Sequence, residues 1–214
     1  MSTALRVAFA RLETLPDAIA ADGGPLVVMP FIDVDLARRS ALQLAGRAGA
    51  AGTLLCVQDT KRLGFIAVAN AVFRRSSAAQ FAYVAQDAYA GRNWLALALE
   101  ALKLKDGGLA AFNDGKWGGS LAAFGLADRE WAAGNYGGDL FFPGYRRHYA
   151  DVELTLIAMQ QRKFRFDPLS VLVEVDWQKE DSGVAPEDRL LYYRRGQSSF
   201  DRKVTSQALK RLFK

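Results

Sequence analysis

The sequence predicts one α/β domain with a mostly parallel central sheet flanked by helices. Three observations predict it. Short apolar runs of strand length alternate with longer segments whose apolar residues recur at helical spacing. The 214 residues are enough for one domain with a full hydrophobic core. Half of them are hydrophobic and 24% are charged, an ordinary globular balance that excludes large-scale disorder.

The elements follow in chain order. Residues 26–31, apolar after Gly23-Gly24-Pro25, predict a buried strand. Asp33 or Asp35 can cap the next helix, where Leu36, Ala37, Ala41, Leu44, Ala45 and Ala48 recur at helical spacing until Gly49 and Gly52. Residues 54–57 make a second strand that finishes at Asp59. Phe65, Ile66, Ala69, Val72 and Phe73 predict a helix over 64–76. Residues 81–85 make a third strand, ending at Gln86-Asp87. Trp94, Leu95, Ala98 and Leu102 form the stripe of a further helix. Residues 109–112 and 120–124 read as two more strands. Asp151 opens a helix with Leu154, Ile157 and Ala158 on one face, and residues 169–175 are a last strand. In open α/β sheets ligands bind outside the carboxyl ends of the strands, so Asp59 and Asp87 mark a candidate site.

Composition narrows the chemistry. Cys56 is the only cysteine and His148 the only histidine, so cysteine-rich and multi-histidine metal sites are excluded, as is an intramolecular disulfide. Cys56 lies in an apolar run and reads as a small buried hydrophobe. Neither a phosphate loop nor a dinucleotide fingerprint is present, which removes the main support for kinase and dehydrogenase readings. The net charge of +5 and pI near 9.4 suit an anionic partner without choosing one. No stretch reaches the ~20 apolar residues of a membrane span, and the first residues lack the build of a signal peptide. The expected location is cytoplasmic, with peripheral attachment at a membrane surface left open by the tail. That tail carries Arg194, Arg195, Arg202, Lys203, Lys210, Arg211 and Lys214, interleaved with Leu209, Leu212 and Phe213. It reads as a solvated helix, an anionic-membrane contact or a nucleic-acid contact.

From about Pro25 to about Asp176 the order of these segments resembles the family 2 glycosyltransferases of the GT-A fold. The resemblance rests on an ordered series of short motifs. Strand-Asp59 is followed by the helix Ala67-Val68-Ala69-Asn70-Ala71, and the next strand ends at Ala85-Gln86-Asp87-Ala88. Then come Gly118-Gly119-Ser120, Asp128-Arg129-Glu130-Trp131 and Tyr149-Ala150-Asp151-Val152-Glu153-Leu154. The resemblance implies a GT-A-like domain over 1–176, with a nucleotide-sugar half at 25–105 and an acceptor half at 106–176. A basic extension, 177–214, is packed on the domain or trails it. It also implies a donor site at Pro30, Asp59, Asn70, Gln86 and Asp87, and an acceptor platform at Trp117, Gly118, Gly119 and Trp131.

The implied reaction is inverting sugar transfer from a nucleotide-diphosphate donor to a hydroxyl on a glycan, a lipid-linked saccharide, a modified nucleic acid or another polymer. Charge grows on the departing phosphates, and Mg²⁺ or Mn²⁺ can absorb it through oxygen ligands. The family's Asp-x-Asp is reduced here to one carboxylate, Asp87, and the usual later His is absent. Asp176 or Glu174 stands in its place as an oxygen ligand. Asp151 is favoured as the base. Glu153 points ~200° further round the helix, so the two do not share one task. The alternatives are a metal-dependent nuclease using Asp151, Glu153, Glu174, Asp176 and Lys179, and a non-catalytic nucleotide or nucleic-acid binding module.

Overall fold

A computed structural model of the chain describes residues 4–20, 23–104, 106–174 and 185–213. The strands are β1 (Leu5–Arg11), β2 (Leu26–Phe31), β3 (Gly52–Gln58), β4 (Gln80–Tyr83), β5 (Ala88–Ala90), β6 (Leu109–Asn113), β7 (Gly125–Asp128) and β8 (Phe164–Glu174). The main helices are α1 (Val34–Arg47), α2 (Phe65–Arg75), α3 (Trp94–Lys103), α4 (Arg129–Ala133), α5 (Ala150–Gln160) and α6 (Pro186–Gln197).

The strands join in one sheet of order β1-β3-β2-β4-β7-β6-β8-β5. The class is α/β, as expected, but the sheet is mixed rather than mostly parallel. β1, β3, β2 and β4 run parallel, and β6 pairs in parallel with β8. Between these blocks β7 is antiparallel to both β4 and β6, and β5 is antiparallel to β8. The cause lies in the connection between β6 and β7. A parallel neighbour needs a crossover, usually helical. Residues 114–124 contain no helix, so the chain turns back beside itself. The strand expected at 120–124 forms instead at Gly125–Asp128.

Each helix follows its apolar stripe. Asp33, rather than Asp35, caps α1, its carboxylate accepting the Leu36 N–H at 2.9 Å. α1 and α3 cover one face of the sheet, burying Leu44, Trp94 and Leu95 against Met29, Leu54 and Phe112. α2 and α5 cover the other, with Phe73, Leu154 and Ile157 against Val28, Leu55 and Tyr83. Cys56 is buried in the first of these cores, as its apolar run predicts, and burial pushes its thiol up to about 12. The last strand begins five residues earlier than its apolar run suggests. Its pairing with β6 shifts between Ala111 and Asn113, close to Pro168, which cannot donate to a ladder.

Candidate functional site

The carboxyl ends of β2, β3 and β4 open on a crevice of about 380 Å³ whose walls include Pro30, Ile32, Asp59, Arg62, Gly64 and Gln86. Asp59 follows β3 directly. Its N–H donates to Phe31 O at 2.8 Å, which ties the ends of β3 and β2 together. Its carboxylate accepts the N–H groups of Leu63 at 2.9 Å and Gly64 at 2.7 Å, holding the loop into α2. Each carboxylate oxygen keeps a second lone-pair direction for a ligand donor. Gly64 has φ +100°, and a Cβ there would stand 2.6 Å from Arg146 O, so only glycine lets the two loops meet. Gln86 bridges the far wall, its Oε1 accepting the N–H groups of Ile32 and Asp33 at 2.8 and 3.0 Å.

A larger cavity of about 690 Å³ shares Phe65, Ala85 and Arg147 with the crevice, so the two adjoin. Tyr83, Trp117, Phe124, Phe141, His148, Asp151 and Phe213 are among its lining residues. Asp151 lies in the first turn of α5, behind a left-handed Tyr149 with φ 68°. Burial raises its carboxyl from the usual 3.8 to about 6. The backbone N–H groups of Val152 and Asp151 oppose that rise, and the Asp114 carboxylate adds to it. A carboxyl tuned close to neutral pH suits proton transfer. Burial depresses the His148 imidazole, against the Asp188 carboxylate and with the Arg147 guanidinium, so it is neutral at pH 7.

Glu153 has a different part. It is fully buried, bound by Arg195 at 2.6 and 2.7 Å and by the Tyr145 hydroxyl at 2.9 Å. The Arg195 guanidinium also lies 3.4 Å over the Phe142 ring. This network ties α5 to α6 and takes Glu153 away from the cavity, which removes it from the nuclease constellation.

The remaining expected residues separate. Asp87 is buried in the turn between β4 and β5, beside Gln86 and on the same edge of the sheet as Asp59. Asn70 is buried, and its amide is spent on Phe141, donating to that residue's O and accepting its N–H, each at 2.9 Å. Trp117 reaches the cavity, held by a turn in which Asp114 accepts the Lys116 and Trp117 N–H groups. Gly118 and Gly119 continue that turn with φ 53° and 79°. Trp131 does not join them. It follows β7 at the amino edge of β4 and β6, packs on Gly108 and donates to Gln161 at 2.6 Å. Asp176 and Lys179 lie outside the described residues.

Two groups at the cavity were not assigned from sequence. Arg147 stands where crevice and cavity meet, and nothing in Tyr145-Arg146-Arg147-His148 says which arginine faces inward. Leu212 and Phe213 return from the C-terminal segment to line the cavity, with Phe213 edge-on to Trp117 at 6.0 Å. Their apolar character amid basic neighbours was the available signal.

Among the described residues, no group of three or more His, Cys, Asp or Glu gathers to hold a metal ion. Asp87 alone does not make such a set. No helix among the described residues is long and apolar enough to cross a membrane.

No protein-family profile matches the chain, and no curated protein matches it. Among solved structures, 32 chains match. One is the mannosyltransferase PcManGT from Pyrobaculum calidifontis in complex with GDP-Man and Mn²⁺. It is 15% identical, with a TM-score of 0.56 over 92% of this chain and 71% of that one. At that identity the likeness concerns the fold alone.

Proposed function

We propose that the protein is an inverting glycosyltransferase that moves a sugar from a nucleotide-diphosphate donor to a hydroxyl acceptor. One observation carries the reading. The half-buried Asp151, its carboxyl raised to about 6, lines a cavity that adjoins the strand-end crevice of Pro30, Asp59 and Gln86. The likeness of fold to a mannosyltransferase solved with GDP-Man supports it.

In this reading the nucleoside lies in the crevice against Asp59, whose free lone pairs accept base N–H groups. The diphosphate points towards the junction with the larger cavity. The acceptor, a saccharide, a lipid-linked saccharide or another polymer, enters beside Trp117 and Phe213. Asp151 takes the proton of the attacking hydroxyl. That oxygen bonds to the anomeric carbon while the bond to the diphosphate breaks on the opposite face, which inverts the centre. Asp87 is the carboxylate to test for Mg²⁺ or Mn²⁺, the latter being the ion in the neighbour's complex.

Thermal unfolding with UDP, GDP and dTDP, each with and without Mn²⁺, tests the reading. One nucleotide should raise stability, by about 2.7 kcal/mol at a hundred times its dissociation constant. Asp59→Ala should lose that rise. Asp151→Asn should keep it while turnover falls by ~10²-fold or more. A protein indifferent to all three nucleotides contradicts the reading.

A further inference from the structure

Arg147 lines both the crevice and the larger cavity, at the point where they join. Its backbone is held with unusual care. The N–H groups of Arg146, Arg147 and His148 all donate to the Asp188 carboxylate, at 3.0, 2.8 and 2.9 Å, and Asp188 is 1% exposed on α6. Gly64 packs against Arg146 O from the opposite loop. The side chain of Arg147 is nevertheless exposed, with no ion-pair partner among the described residues. Arg62, on the loop fixed by Asp59, also lines the crevice and likewise has no such partner among them. A rigid loop that presents an unspent guanidinium into a concave site selects for an anion. The planar fork of arginine matches the paired oxygens of a phosphate.

We infer that Arg147, aided by Arg62, binds the donor's diphosphate and stabilises the charge it gains as it leaves. This rests on the sugar-transfer reading and adds to it the group that meets the leaving oxygen. The new bond joins the acceptor oxygen to the anomeric carbon, and the hydroxyl proton passes to Asp151. The breaking bond leaves its electron pair on the diphosphate oxygen, where a fixed cation is worth most.

Calorimetric titration with UDP, GDP, dTDP and inorganic pyrophosphate, in EDTA and again with Mn²⁺, tests this. The wild-type protein should bind pyrophosphate and at least one of the nucleotides in EDTA. Arg147→Ala should weaken both by about tenfold or more, and Arg147→Lys should restore only part, because a lysine lacks the fork. Arg146→Ala, whose side chain lines neither space, should bind as the wild type. Equal affinity in Arg147→Ala, or binding confined to Mn²⁺, overturns the inference and leaves sugar transfer standing. A wild-type protein that binds no nucleotide in either condition overturns both.

Discussion

If Asp151 is the base proposed above, its ionisation couples activity and stability in opposite directions. Burial raises its carboxyl from 3.8 to about 6, so the folded protein prefers the protonated form. The corresponding stability is complete below the unfolded carboxyl range and is lost as pH rises through 6. A base must be deprotonated, so kcat/KM should fall below pH 6. Asp151→Asn removes the buried charge and should raise stability at pH 8 by on the order of 2 kcal/mol, with little change near pH 4. Thermal melts at the two pH values measure this, and a variant that is less stable at pH 8 contradicts the role. The neighbouring polar side chains show what sequence conveys at this scale. Asp59 and Gln86 were legible because a strand end places its next residues at the sheet edge. The partner of Glu153 was not, since Arg195 is separated from it by 42 residues and enters from another element. Asn70, expected at the donor site, has its buried amide bonded to the backbone of Phe141, a partner 71 residues away that no local pattern announces.

Among the elements, α6 acts on the site without lining it. Asp188 spends its whole carboxylate on three consecutive backbone N–H groups of the loop that carries Arg147. Asp188→Ala leaves those partly buried donors without their acceptor and should cost about 2 kcal/mol. Asp188→Asn retains an acceptor and should recover part of the loss. Equal melting temperatures in Asp188→Ala and the wild type contradict this account of the loop. The elements themselves were mostly readable. β2, β3, β4 and α1 to α3 follow from apolar period and caps. β1 was not recognised because it is an edge strand with a partly exposed pattern, and β5 because three residues carry no period. β7 was displaced because Gly125 divides the stretch after Gly119 into two short apolar runs, and only pairing with β4 decides which becomes the strand.

At the scale of the whole molecule, two layers of helix hold a mixed sheet whose parallel block ends at the crevice, and α5 brings Asp151 to the adjoining cavity. Neither half of the site is contiguous in sequence. The cavity wall beside Trp117 includes Leu212 and Phe213, which return from the far end of the described chain. Such closure depends on tertiary packing and leaves no local pattern, so the basic tail could only be read by its charge. On the sugar-transfer reading, crevice and cavity together form one site. The most direct test of that reading is a crystal structure of the protein with the nucleoside diphosphate that most raises its melting temperature. The account predicts the base against Asp59 and the diphosphate at the Arg147 junction, with Asp151 open to the cavity beyond it. A nucleotide seated at the amino edge of the sheet, near Gly108 and Trp131, would contradict it.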